Sequence, residues 1–453
     1  MKVTFVKPNM GLVRGRPYYD RGRMEPLTFA VLAGQLPPEV SCVLYDDRFE
    51  KIPFDEPTDL VAINVEIYTA KRAYEISRAF RKRGIRVVMG GYHVTMLPEE
   101  ALEHSDAIMI GDAEGVWPQI IHDAQAGDLK RIYRPQSRFP LSNLRTRWEI
   151  FDGKNYLPVR LTQFSRGCVN LCDFCATGTI YNRHHFCRHP GEVVEELASQ
   201  SSPFIFFVDD NIVASPDQAK ELFRLLIPLK RRWIGQASMN FTLDPEMMDL
   251  IKRSGCAGLV VGFESIETGN ISLMKKDCNL EVLDYDEAIR RMKSIGLQLW
   301  AAFLIGYDGD DIAGIKKTVQ WAIHHQFCFA AFNILSPYPS TPLYEQFKRD
   351  NRLLYEKWWL DDRYHFGDAV FKPARMSPDE LTDACFWARR KFNNPISILR
   401  RAFDFQTNAK DLWSFATFFA YNPLFRREFY KKQGMRLGYH QFSEISSQVR
   451  LNR

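Results

Sequence analysis

No apolar run in this chain of 453 residues approaches the roughly 20 residues that a membrane-spanning helix requires. The opening Met1-Lys2-Val3-Thr4-Phe5-Val6 reads as a first strand rather than a secretory leader. A disulfide framework is missing too. The nine cysteines are odd in number, and six of them, Cys42, Cys187, Cys256, Cys278, Cys328 and Cys385, lie scattered without a pairing pattern and read as small buried hydrophobes. A reducing compartment, the cytoplasm, is therefore expected. No module with an ordered basic stripe and stacking aromatics is legible, so nucleic acid is not an expected partner. The adjacent pairs His184-His185 and His324-His325 are not chelates, because neighbouring side chains diverge on a strand or helix.

What is present is the composition of an ordinary soluble protein, 45% apolar and 25% charged. Its length sets a prior of about three domains. The net charge of +5 is unevenly placed: residues 386–453 hold 13 Lys or Arg against 4 Asp or Glu, which leaves −4 for the preceding 385 residues. The same tail carries 15 aromatics. Two readings stand: a helical subdomain whose aromatics pack inward, or a surface for an apolar substrate or a membrane face.

The strongest chemical signal is the run Ser165-Arg166-Gly167-Cys168-Val169-Asn170-Leu171-Cys172-Asp173-Phe174-Cys175. Its C-x3-C-x2-C spacing supplies three thiolates, whereas a [4Fe-4S] cube normally takes four, so one iron is left free to bind something else. A zinc site would more often show paired C-x2-C units closing a tetrahedron. Cys172 and Cys175 form one such pair that Cys168 or Cys187 would have to complete, so that alternative stays open. The run resembles the cluster loop of the radical S-adenosylmethionine (SAM) superfamily, down to Phe174 just before the third cysteine. The resemblance implies that Cys168, Cys172 and Cys175 hold the cluster and that SAM chelates the open iron. One electron, from a donor such as flavodoxin or ferredoxin, would then cleave SAM to a 5'-deoxyadenosyl radical.

In the first half, short apolar runs at 3–6, 41–45, 59–65, 87–90 and 107–110 alternate with helix-like stretches such as 68–83. That alternation predicts a doubly wound parallel sheet, with ligands beyond the carboxyl ends of its strands. Those ends carry Asp46-Asp47, Asn64 with Glu66, and Gly90-Gly91-Tyr92-His93-Val94-Thr95. With Glu25-Pro26-Leu27, Leu44-Tyr45-Asp46, 59–63 and Gly111-Asp112-Ala113-Glu114-Gly115-Val116-Trp117, this half resembles the cobalamin-binding domain that precedes the radical SAM core in a large subfamily. The resemblance implies cobalamin contacts from Asn64, Gly90, Gly91 and His93. The D-x-H-x-x-G motif of other cobalamin proteins is absent, so no His of that motif coordinates cobalt. A flavodoxin-like domain without a ligand is the other reading.

From about residue 157, strand candidates follow at 204–208, 233–237, 258–262, 299–305 and 331–335. With the cluster strand they make six β/α units, a partial TIM-like barrel whose chemistry gathers at the strand C-termini. The resemblance gives those ends roles in SAM binding: Asp209, Asp210 and Asn211 near the amino group, Gln236 and Ser238 after the third strand, Gly262 and Glu264 toward the ribose. A capping or turn role is the plain alternative for each. The expected domains are a cobalamin-binding-like domain at 1–145, a radical SAM core at 146–370 and a helical C-terminal domain at 371–453. The ending Phe425-Arg426-Arg427-Glu428-Phe429-Tyr430-Lys431-Lys432-Gln433-Gly434 resembles the tails of cobalamin-type relatives. Cobalamin-dependent methylation of an unactivated carbon is thus the expected activity, on a small molecule such as a lipid, polyketide or tetrapyrrole. Cobalamin-linked oxidative cyclisation and a noncatalytic iron-sulfur or corrinoid carrier are the alternatives. No residue stands out as a general base.

Overall fold

Strands buried on both faces need side chains that are apolar at every position, and the runs 60–63 and 107–110 have that character. The computed structural model describes residues 1–136, 141–142, 144–200, 202, 204–282 and 284–440. It divides into two compact units, the first formed by Met1–Leu157, Tyr355–Phe366 and the chain from Gly434, the second by Pro158–Leu354 and Gly367–Gln433.

The first unit is built on six parallel strands, β1 (Lys2–Lys7), β2 (Ser41–Asp46), β3 (Leu60–Asn64), β4 (Arg86–Gly90), β5 (Ala107–Met109) and β6 (Ile132–Tyr133), in the spatial order β2-β1-β3-β4-β5-β6. Val3 sits in register between Cys42 and Leu60. The chain steps to one side of β1 for β2 and to the other for β3, so the switch point of a doubly wound sheet falls between β1 and β3. Phe5 anchors one core at ring-centroid distances of 5.4 Å from Phe29 and 5.8 Å from Trp117. Helix α1 (Ala70–Arg81) buries Ala73, Ile76 and Phe80. A second, antiparallel sheet joins Gly11–Val13, Arg16–Pro17, His365–Phe366 and Met435–Leu437. Glu75 of α1 fixes the returning chain by accepting the Tyr439 and His440 backbone N–H groups at 2.8 and 2.9 Å. The Arg72 guanidinium lies 3.7 Å from the Tyr439 ring centroid.

In the second unit the strands β7 (Arg160–Thr162), β10 (Phe204–Phe207), β11 (Arg232–Ala237), β12 (Cys256–Glu264), β13 (Gln298–Ile305) and β14 (Phe329–Ile334) are all parallel and lie side by side in chain order. A short hairpin, β8 (Ser165–Gly167) with β9 (His185–Cys187), brackets the cysteine loop. Phe263, Phe303 and Phe332 stack through the core at centroid distances of 5.9 and 5.2 Å. This is the six-unit partial barrel expected.

The C-terminal region is helical, with Pro378–Phe392 followed by α2 (Pro395–Ala402) and α3 (Leu412–Lys432). Many of its aromatics pack inward, but at the strand starts. Trp413 meets Phe204 at 5.4 Å, Phe425 meets Phe329 at 4.1 Å, and Gln298 donates to the Ser414 carbonyl at 3.0 Å. Helices α2 and α3 therefore lie at the opposite end of the barrel strands from Asp209 and Glu264, whereas Pro378–Phe392 reaches the Phe332 carbonyl with Arg389 at 2.7 Å. The last thirteen residues of the basic tail, 441–453, lie outside the described residues.

Candidate functional site

The cysteine loop runs from the end of β8 to the helix Ala176–Tyr181, for which Cys175 is the N-cap. All three thiols are half-buried. Burial pushes the Cys175 thiol up while the Gly178 and Thr177 N–H groups, directed at its sulfur, lower it. Those donors suit a sulfur that must carry negative charge. Burial raises Cys172 as well, opposed by the Lys276 ammonium, and the Asn170 amide lies 3.3 Å from the Cys168 sulfur. A lone zinc draws its donors to about 2.3 Å from one point; among the described residues no three His, Cys, Asp or Glu side chains converge in that way. A cluster takes each thiolate on a different iron, so its cysteines stand apart. The donor set fits a [4Fe-4S] group.

The loop is fastened at several points. Tyr307, just past β13, donates its hydroxyl to Asp173 Oδ1, while the Asp173 N–H reaches the Met274 carbonyl at 3.2 Å and the Asp173 carbonyl accepts from Leu343 at 3.1 Å. Burial raises the Asp173 carboxyl and, with Asp173 beside it, raises Tyr307. The Asp209-Asp210-Asn211 run holds the loop's base. Asp209 is buried, accepts from the Phe164 and Ser165 N–H groups, and is pushed up to about 7 by that burial. Asp210 accepts from the Gly167 N–H at 3.1 Å and the Thr177 hydroxyl at 3.0 Å. Gln236 donates to the Asp210 carbonyl at 2.9 Å, and the Asn211 amide and Ser238 hydroxyl are 3.0 Å apart. These five residues are therefore brought together, bonded to the loop and to one another.

At the end of β12, Glu264 adopts φ +57°, a conformation that a non-glycine residue holds only when its surroundings enforce it. Its carboxylate pairs with Lys276 Nζ at 2.7 Å, and both groups lie over Gly262, where a Cβ would stand 2.3 Å from Glu264 Oε1 and 2.7 Å from Lys276 Nζ. Burial works against the Lys276 charge, but Glu264, Cys172 and Cys278 hold it up. Lys276 and Tyr307 were not singled out from sequence as site groups, and only the strand-end position of Tyr307 pointed to it. Of the flanking arginines, Arg166 binds Gln163 Oε1 at 2.7 Å and the buried Arg188 pairs with Glu196 at 2.7 Å. His184 and His185 diverge, toward the Tyr181 carbonyl and the Ser215 hydroxyl respectively.

In the first unit the strand ends frame a different surface. Lys7 and Glu66 form an ion pair at the switch point, and the Lys7 charge holds the Glu66 carboxyl below its usual range. Asp46 is engaged by Arg48 at 2.6 Å and Tyr156 at 3.0 Å, Asp47 by Arg72 at 2.8 Å. Gly91 has φ +105°, and a Cβ there would stand 2.8 Å from the Val65 carbonyl and 3.3 Å from the Asn64 side chain, so only glycine fits the close turn after β4. Gly90, Gly91 and Asn64 thus meet at adjacent strand ends. His93 is fully buried, its Nε2 within 2.9 Å of the Tyr74 hydroxyl and 3.1 Å of Glu100 Oε1. Against the burial that opposes it, His93, Trp359 and Lys357 hold the Glu100 carboxyl down at about 2.

Residues 162–322 match the radical SAM superfamily model. The chain carries a radical SAM domain. It is an enzyme, and the domain works with SAM and a [4Fe-4S] cluster. The radical SAM domain and its flanks are 27% identical over 389 residues to bacteriochlorophyllide d C-12(1)-methyltransferase of Chlorobaculum tepidum, covering 83% of this chain and 84% of that one. They are 23% identical to the anaerobic magnesium-protoporphyrin IX monomethyl ester cyclase of Cereibacter sphaeroides, over 77% and 62% of the two chains. Among solved structures, the radical SAM methyltransferase TsrM from Kitasatospora setae, with cobalamin and a [4Fe-4S] cluster bound, superposes at a TM-score of 0.61 and 18% identity over 86% of this chain and 85% of that one.

Proposed function

We propose that this chain is a cobalamin-dependent radical SAM methyltransferase that methylates an unactivated carbon of an apolar, tetrapyrrole-class small molecule. The observation that carries the reading is that one chain joins a three-cysteine loop at the carboxyl end of a parallel barrel to a doubly wound sheet with a close glycine turn beside its switch point. The substrate class rests on the methyltransferase and cyclase relatives, whose names specify tetrapyrroles. When bound, the cluster with SAM supplies radical chemistry at carbon and cobalamin supplies a methyl carrier. In this reading the sheet within residues 1–145 takes the corrinoid and the barrel within 146–370 takes the cluster and SAM, while the helices after residue 371 belong to the second unit rather than to a third domain.

The chain's own residues position and shield. Cys168, Cys172 and Cys175 hold iron, Lys276 sets a positive charge beside Cys172, and Glu264 fixes Lys276 in place. Tyr307, Asp209 and Asp210 keep the loop in one shape. Gly91 lets the chain turn closely past the Val65 carbonyl, which sets the backbone of Gly90 and Gly91 beside Asn64, whose amide is offered to a ligand. His93, expected to contact cobalamin, is bonded to Tyr74 and Glu100 and buried in the core, so it would act through the turn that carries it. The electron donor is a flavodoxin or ferredoxin and the setting cytoplasmic.

The test is anaerobic reconstitution with cluster and unmethylated cobalamin, followed by SAM and excess low-potential reductant, assayed on chlorophyllides. Methylation requires S-adenosylhomocysteine and 5'-deoxyadenosine in equal amounts with methylated product. Failure to bind corrinoid at full cluster loading overturns the proposal. Deoxyadenosine with a cyclised product and no S-adenosylhomocysteine would instead select cyclisation, which the cyclase relative favours.

A further inference from the structure

Helix α2 is buried on one side and apolar on the other. Its inner face, Ser397, Ile398, Arg401 and Ala402, is buried, and Arg401 donates to the Phe327 and Cys328 carbonyls at 2.8 and 2.9 Å and to Asn422 at 3.0 Å. Ile396, Leu399 and Phe403, at i, i+3 and i+7, form an outward stripe, and Ile396 is 81% exposed. The connection that follows adds Phe405, 74% exposed and 6.4 Å from the Phe403 ring, and α3 opens with Leu412, 84% exposed. Single exposed apolar side chains are ordinary, but a group of this kind marks an interaction surface.

The charges around the group select the partner. Lys391 and Arg400 are exposed, whereas the Lys410 ammonium is bonded to the Gly296 carbonyl. Asp404 is buried against Lys293 at 2.7 Å, and the exposed Asp411, which caps α3 by accepting the Ser414 N–H at 2.7 Å, is balanced by the neighbouring Lys410, so Lys391 and Arg400 set the sign of the face. Interfaces between proteins tend to exclude Lys from their centres. A bilayer instead takes apolar tips below the headgroups and cations at the phosphates. Among the described residues no helix is long and apolar enough to cross a membrane.

We infer that the outer face of α2, the connection after it and the start of α3 dock on an anionic phospholipid bilayer. The buried inner face holds the eight-residue helix in place, so its tips are presented without an ordering cost. This surface sits at the strand starts, away from the cysteine loop, and the inference is independent of the methyltransferase reading. Docking concentrates the enzyme where apolar small molecules collect and leaves the carboxyl ends of the barrel strands free.

The test uses the full-length, cluster-loaded enzyme in co-sedimentation with vesicles of phosphatidylcholine alone or in equal mixture with phosphatidylglycerol. Binding is expected to be at least about 10-fold tighter to the anionic vesicles and to fall with salt. The pair Phe403→Ser and Phe405→Ser, and separately Arg400→Glu, are each expected to weaken it about 10-fold with thermal stability and SAM cleavage unchanged. Equal partition to both vesicles, or none, overturns the inference. So does conversion of a dimer to a monomer by Phe403→Ser and Phe405→Ser without vesicle binding, which would assign the face to a second copy of the chain.

Discussion

Tyr307→Phe isolates one hydroxyl. The ring keeps its edge contact with Phe174, at a centroid distance of 6.4 Å, and its place in the core. What disappears is the donor to Asp173, a buried carboxyl in the middle of the cysteine loop. Removing one partner of a buried hydrogen bond to an acidic group costs on the order of 2 kcal/mol, because the remaining group keeps its full desolvation penalty. The loop retains two backbone anchors at Asp173, to Met274 and from Leu343, so the cost falls on local opening rather than on the whole fold. Two kcal/mol corresponds to an open-loop population about 30-fold larger.

The assay is the rate at which the reconstituted cluster surrenders iron to a ferrous chelator under anaerobic conditions, followed by the loss of its visible absorption. Tyr307→Phe is expected to speed that loss about 30-fold at unchanged initial iron content. Adding Asp173→Asn removes the buried acid that lost its donor, and the double variant is expected to recover part of the difference. Rates within about two-fold of the parent chain would refute the assignment of Tyr307 as the loop's fastener.

Lys276→Met leaves Glu264 buried without its cation and is expected to cost about 3–5 kcal/mol. Lys276→Met with Glu264→Gln recovers most of it, read from urea unfolding of the apoprotein; equal losses in the single and double variants would refute the pairing. Gly91→Ala places a methyl against the Val65 carbonyl at positive φ and is expected to cost about 1–3 kcal/mol and abolish corrinoid retention, with cluster iron unaffected. Burial holds the His104 imidazole down at about 4, so it stays neutral in the fold while the unfolded chain takes its proton near 6.5. Its contribution is therefore complete above about pH 6.5 and is lost as pH falls toward 4, by on the order of 3 kcal/mol. His104→Gln flattens that slope in unfolding titrations, and an unchanged slope would sink the assignment.

Both parallel sheets could be read from the chain because their central strands are short apolar runs, buried at every position in Leu60–Ile63 and at alternate positions in the barrel strands. Leu60-Val61-Ala62-Ile63 and Phe204-Ile205-Phe206-Phe207 are apolar at every position, and the helix-length segments between such runs make parallel pairing the expected arrangement. The second sheet of the first unit was invisible for the converse reason. Its strands are two or three residues long and come from residues 11–17, 365–366 and 435–437, so no local periodicity announces them. The site divides along the same line. Cys168, Cys172 and Cys175 were legible because a loop carries its own ligand spacing. Lys276 and Tyr307 were not, since their place depends on register: β12 and β13 pair in parallel up to Glu264 opposite Phe303, and that ladder brings the residues after each strand to one end. The pairing of β10 with β7 likewise brought Asp209 and Asp210 to the Phe164, Ser165 and Gly167 N–H groups, where sequence offered only acidic residues after a strand. A strand-end motif thus tells where polar groups gather, and the register decides whether they face a ligand or hold the loop that does.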